Sequence, residues 1–171
     1  MVFYITDNKE SLVFVSAYCK TLNITIDRKN FILIKDKNKL EDYMAYIQKG
    51  TRIKMLFSSE NETTEQIKEN IEKQLGSILF KKCKIFIFSD DKKCKNIDSL
   101  FEDVVVNKEL WNICKEFVKK LNNINDSKYS ILRTYLEYFD KDKDSRKIIL
   151  EDKHFDFNHE NLKPLKEFLL Q

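Results

Sequence analysis

Short apolar runs alternate with amphipathic helical patterns along the first half of the chain. Four runs are rich in β-branched and aromatic residues and have the length of buried strands: Val2–Ile5, Phe31–Ile34, Ile53–Phe57 and Ile85–Phe88. A weaker run, Ile24–Ile26, is the candidate for a fifth strand beside the second. Parallel strands need helical crossovers, so the alternation predicts an α/β fold. We expect a mainly parallel sheet of four or five strands with helices on both faces.

The second half of the chain has helical periodicity without strand signals. Helices are predicted over Asp98–Glu102 and Tyr129–Phe139, and Pro164 is tolerable near the first turn of a last helix. Between them lies a longer helix whose predicted inward face is Leu110, Cys114, Phe117, Val118 and Leu121. We therefore expect a single domain over 1–171, with an α/β core over 1–125 and a C-terminal helical cap over 126–171.

Composition excludes several classes of protein. The two glycines, Gly50 and Gly76, lie far apart, so the glycine-rich phosphate loops and the G-x-S-x-G elbow are absent. A net charge of +3 is too small to indicate nucleic-acid binding by bulk charge. Mixed runs such as Lys35–Lys39 are typical of solvated loops. No C-x-x-C pair, signal peptide or transmembrane run is present, and this predicts a cytoplasmic protein without membrane association.

Acidic residues follow three of the predicted strands. Asp7 and Glu10 follow the first, Glu60 the third, and Asp90 and Asp91 the fourth. Ligands of open α/β sheets bind at the carboxyl ends of the strands, and Mg²⁺ prefers oxygen ligands. Asp7, Glu60, Asp90 and Asp91 are thus candidate metal ligands, and Asp7, Glu10 and Glu60 are candidate catalytic residues. Alternatively, Asp7 with Glu10 caps the first helix, and the two later aspartates are turn residues.

Several segments carry a resemblance to a known family. They are Phe3–Glu10, Met55–Glu60, Arg133–Lys141, Phe155–Phe157 and Leu162–Leu169. The first two are similar to the acidic motifs of the TOPRIM fold, which occurs in topoisomerases and primases, and the others resemble a small TOPRIM-related prokaryotic family. The resemblance implies a TOPRIM or Rossmann-like sheet. In that family a glutamate after the first strand and an Asp-x-Asp motif after a later strand hold magnesium for phosphodiester chemistry.

This chain departs from the family motifs at two positions. Thr6 stands where the glutamate is expected, and Ser58 stands at the first aspartate of Asp-x-Asp, with Glu60 at the second. The loss of two carboxylates weakens a magnesium site. We therefore favour a non-catalytic TOPRIM-like module without a cofactor, which binds a nucleic acid or a protein partner. The alternative is a magnesium-dependent nuclease or phosphotransferase that uses the displaced carboxylates.

Other residues admit two interpretations each. Arg133 with Tyr135, Tyr138 and Phe139 could stack bases, although aromatic residues at helical spacing are typical of a core. Trp111 is either a partner contact or a packing residue. The two histidines, His154 and His159, lie in a polar segment and are expected at the surface.

Overall fold

A computed structural model describes residues 1–59, 62–88, 97–124, 130–140, 145–151 and 153–171. It has an α/β fold with a fully parallel sheet, which confirms the predicted fold class. The chain divides into two compact units. Unit 1 comprises residues 1–12, 25–97 and 171, and unit 2 comprises residues 13–24 and 98–170. The expected organisation as one domain, with a core and a cap that meet at residue 125, stays a prediction.

Four parallel strands in the order β2-β1-β3-β4 form the sheet of unit 1. They are β1 Val2–Thr6, β2 Phe31–Leu33, β3 Arg52–Ser58 and β4 Cys83–Phe88. Each coincides with a predicted strand to within two residues at either end. The fifth strand at Ile24–Ile26 was wrong, because this segment forms no strand.

The end of the first helix explains why that short run is not a strand. Asn23 has a φ of 57°, and the N–H of Ile24 donates to the carbonyl of Cys19 at 2.8 Å. A left-handed residue followed by this six-to-one hydrogen bond is a Schellman-type helix ending. The apolar residues after it therefore belong to the helix terminus rather than to the sheet.

Helices connect the strands and make up most of unit 2. They are α1 Lys9–Thr21, α2 Met44–Lys49, α3 Thr64–Phe80, α4 Ile97–Val104, α5 Lys108–Ile124, α6 Ile131–Phe139, α7 Ser145–Ile149 and α8 Lys163–Leu170. Helix α3 begins with a complete capping box between Thr63 and Gln66, as their spacing predicts. It is interrupted at Gly76, whose φ of 72° favours glycine. None of the helices in the described ranges is long and apolar enough to cross a membrane.

Alternate residues of the strands build the core of unit 1. Ile5, Met55 and Ile87 belong to one buried cluster on the sheet. Ile67 and Ile71 of α3 belong to the same cluster, so the helix packs its apolar face on the sheet. Burial of a large apolar side chain contributes roughly 1.5–3 kcal/mol, so this face fixes α3 and the loops that it contacts.

Aromatic packing dominates unit 2. The rings of Phe101 and Trp111 lie 6.1 Å apart, and those of Trp111 and Tyr135 lie 5.4 Å apart, both edge to face. Cys114 is buried on the inner face of α5 as predicted. The prediction for Phe117 was wrong, because its side chain is 52% exposed and lies off that face.

Candidate functional site

The carboxyl ends of β1, β2 and β3 surround a polar cavity in unit 1. Its volume is about 150 Å³, and its lining residues are Asp7, Asn8, Lys35, Asp36, Lys37, Asn38 and Ser58. The chain leaves β1 toward β2 on one side and later returns as β3 on the other side, so the order β2-β1-β3-β4 reverses at β1. Such a reversal opens a crevice beyond the carboxyl ends of the strands, where α/β proteins bind ligands.

Asp7 connects the ends of the two central strands. The backbone N–H of Ser58 donates to both carboxylate oxygens of Asp7 at 3.3 Å. The cap of α1 comes from the next residue, because Asn8 Oδ1 accepts the N–H of Ser11 at 3.0 Å. The interpretation of Asp7 as the cap was therefore wrong. Glu10 lies in the first turn of α1 and is not among the residues that line the cavity.

Lys37 brings a buried ammonium group to the same edge. Its side chain is 8% exposed, and its Nζ lies 2.6 Å from a carboxylate oxygen of Glu62. The Nζ also donates to the carbonyl oxygen of Ser58 at 3.0 Å. The expectation of a solvated loop over Lys35–Lys39 was wrong at this position. Residues that follow a parallel strand emerge at the common edge, and β2 delivers Lys37 there.

Two amide side chains of α3 hold the loop that carries Lys37. Gln74 Nε2 donates to the carbonyl of Lys37 at 3.0 Å, and Gln74 Oε1 accepts the N–H of Leu40 at 2.8 Å. One turn earlier, Asn70 Nδ2 donates to Asn38 Oδ1 at 2.5 Å. These bonds satisfy backbone groups that the loop would otherwise leave unpaired, so they fix its path.

The structure describes one of the four predicted metal ligands. Glu60, Asp90 and Asp91 lie outside the described residues, and Asp7 alone of that set is described. Across the part of the chain that is described, no group of three or more histidine, cysteine, aspartate or glutamate residues could hold a metal ion. The four-carboxylate site thus stays a prediction, and the buried cation described at this edge is the ammonium of Lys37.

The aromatic residues of α6 divide between core and surface. Tyr135 is fully buried, whereas Tyr138 is 69% exposed. Arg133 is exposed and pairs with Glu137 at 2.7 Å along the same helix. Because Tyr135 packs against buried Trp111, both are packing residues rather than base-stacking or partner contacts.

One histidine contradicts its expected place at the surface. His154 is 3% exposed, its ring centroid lies 3.9 Å from that of Phe139, and its Nε2 lies 3.3 Å from a carboxylate oxygen of Glu151. His159 is half-buried, and its Nδ1 accepts the N–H of Asn161. The polarity of the surrounding sequence gave no indication that His154 is buried.

The buried thiols are poor nucleophiles. Burial raises the pKa of Cys83 to about 11, and it raises the pKa of Cys114 in the same direction. Both groups are therefore protonated at neutral pH, and the thiolate is the reactive form of cysteine.

Protein-family models, curated proteins and solved structures were compared with this chain, and none of them matched.

Proposed function

We propose that this chain is a TOPRIM-like module that binds nucleic acid without cleaving it. One observation carries the proposal: the ammonium of Lys37 is buried at the carboxyl edge of the sheet, between Glu62 and the carbonyl of Ser58. The resemblance to the TOPRIM family implies a divalent cation at this edge. In this chain an internal cation neutralises the local carboxylate, and its positive charge opposes the binding of a second cation.

Nucleic acid is the partner that the chemistry of the edge favours over a protein. Lys35 and Lys39 flank Lys37 and are both exposed. Ammonium groups pair with phosphate oxygens without regard to base sequence. The surface is also polar, since the described residues that line the cavity include no apolar side chain, whereas the centre of a typical protein–protein interface is apolar.

Fluorescence anisotropy with a labelled single-stranded oligonucleotide tests the proposal. Wild-type protein should bind without added metal, and log Kd should rise by about 0.7 per log unit of salt for each phosphate that it contacts. Lys35→Met should weaken binding, whereas Lys68→Met, on the exposed face of α3, is the matched control. Binding that is equal for all three proteins would contradict a role for this edge.

The second candidate is a magnesium-dependent nuclease, and the strand order favours it. Because β1, β3 and β4 are consecutive neighbours in the sheet, the residues that follow them converge at one edge. Incubation of the oligonucleotide with protein and Mn²⁺, followed by denaturing electrophoresis, distinguishes the two candidates. Cleavage that is lost in Asp7→Asn would replace the non-catalytic module with the nuclease.

A cytoplasmic location belongs to the same proposal. The three cysteines in the described ranges, Cys19, Cys83 and Cys114, are all free thiols. Free thiols are typical of reducing compartments. This supports the location, and fractionation of cells that express the tagged protein would test it.

A further inference from the structure

Free hydrogen-bond donors are concentrated around the cavity at the carboxyl edge. Asn8 Oδ1 is occupied by the N–H of Ser11, so its Nδ2 is the group left to bind a ligand. The Oδ1 of Asn38 likewise accepts a hydrogen bond from Asn70, so its Nδ2 is also left for a ligand. The ammonium of Lys35 has no hydrogen-bond or ion-pair partner within the described ranges. Three side chains of the lining thus offer donors to a bound molecule.

The acceptors of the lining are more fully used. Asp7 accepts the backbone N–H of Ser58 with both oxygens. Asp36 Oδ1 accepts the backbone N–H of Asn38 at 2.8 Å. Lys35 and Lys37 also line the cavity, and Lys37 is already paired with Glu62, so Lys35 is the lysine available to a ligand. The hydrogen-bonding groups that remain available in the cavity are therefore mainly donors, and they suit a ligand that is rich in acceptors.

Ser58 lines the cavity, but its hydroxyl oxygen is buried away from it and has no hydrogen-bond partner among the described residues. The donors that a ligand can reach are therefore those of Asn8, Asn38 and Lys35. The cavity of about 150 Å³ has room for roughly five water molecules, enough for a small tetrahedral anion with water around it.

We infer that this cavity binds a phosphate monoester, the group found at the 5′ end of a nucleic acid. The inference rests on the proposed function, because it names the part of the nucleic acid that this edge recognises. Lys35, Asn8 and Asn38 donate to the phosphate oxygens, and Lys37, which is paired with Glu62 and Ser58, holds the loop behind them. Hydrogen bonds from the side-chain amides of Asn70 and Gln74 in α3 hold Asn38 and Lys37 in place before the ligand binds.

Two oligonucleotides of identical sequence, one with and one without a 5′-phosphate, test the inference by anisotropy. Wild-type protein should prefer the phosphorylated strand by about tenfold or more, the effect of one or more charge-assisted hydrogen bonds. Lys35→Met should remove this preference. Lys39→Met should keep it, because Lys39 is exposed nearby on the same loop but does not line the cavity. Asn38→Asp, which retains the acceptor for Asn70 and loses the amide donors, should also reduce it.

Inorganic phosphate separates failure of the inference from failure of the proposed function. Competition by millimolar phosphate against the phosphorylated strand, dependent on Lys35, is the expected result. If wild type binds both strands equally, the phosphate inference is wrong and nucleic-acid binding stands. If phosphate raises the melting temperature of wild type but not of Lys35→Met, and neither strand binds, the inference stands and the proposed function falls. If neither phosphate nor either strand binds, both are wrong.

Discussion

Replacement of Lys37 by methionine probes the buried cation directly. Methionine has nearly the length of the lysine side chain without its charge, so the substitution removes the ammonium and keeps most of the apolar contacts. The carbonyl of Ser58 then loses its donor, and the carboxylate of Glu62 loses its partner. We expect a less stable unit 1 in which the carboxylates are open to an external cation.

The magnitude follows from the exposure of the two partners. A hydrogen bond from a charged group contributes about 1.5–3 kcal/mol. The side chain of Glu62 is 35% exposed, so water screens the ion pair, which adds only about 0–1 kcal/mol. We expect a net loss of about 2–3 kcal/mol. For a chain of this length that corresponds to a decrease of roughly 5–10 °C in melting temperature.

Equilibrium unfolding in urea, followed by far-ultraviolet circular dichroism, measures this loss. Tryptophan fluorescence should be recorded in parallel, because Trp111 lies in unit 2 and reports on that unit separately. Lys35→Met is the matched control, since an exposed lysine on the same loop should change stability by about 0.5 kcal/mol or less. A second series with Mg²⁺ should stabilise Lys37→Met more than wild type, because binding to the native state raises its stability.

Two results would refute this reasoning. If Lys37→Met is as stable as Lys35→Met, the buried ammonium contributes nothing net to unit 1. If Mg²⁺ stabilises wild type as strongly as Lys37→Met, the ammonium does not compete with a divalent cation, and the case for a non-catalytic edge fails with it.

Three further predictions concern the backbone and the buried aromatic residues. Asn8→Ala should lower the free energy of unfolding by about 1 kcal/mol through loss of the α1 cap, and Asn8→Ser, which can also cap, should restore most of it in urea titrations. Gly76→Ala should cost about 1–3 kcal/mol, although no atom lies within 4 Å of the added Cβ, because φ is +72°; an unchanged urea midpoint would contradict this. Burial raises the pKa of Tyr135 to about 12. The neutral phenol therefore contributes its full share to the free energy of unfolding below the unfolded pKa near 10, and this share declines as pH rises toward 12. The free energy of unfolding of Tyr135→Phe should consequently fall less steeply than that of wild type between pH 10 and pH 12.

The fold was predictable to a large extent because its signals are local. A buried parallel strand is a short, continuous apolar run, and all four such runs became strands. The capping box at Thr63 was equally predictable, since its two partners are three residues apart in the sequence. Ile24–Ile26 misled because a Schellman ending also places apolar residues after a helix.

The site was only partly predictable because it depends on distant partners. Sequence reasoning pointed to the carboxyl edge and named Asp7, which lines the cavity there, but it considered only acidic residues. Lys37 was missed because its burial depends on a carbonyl 21 residues away and on the amides of α3. The available signal was its position three residues after the predicted strand Phe31–Ile34. His154 was missed for a similar reason, since Phe139 and Glu151 cover it in space.

The pairing of β1 with β3 has a consequence for the time at which the cavity comes into existence. Val2 pairs with Arg52, so the central hydrogen bonds of the sheet join segments about fifty residues apart. Closure of such a loop costs conformational entropy before any strand contact repays it, and folding dominated by distant contacts is slow. During synthesis, β1 and β2 have emerged long before the neighbour that completes the edge. The cavity can therefore form only after β3 has left the ribosome. Until then, the segments that carry its lysines and aspartates lack the strand that completes the edge.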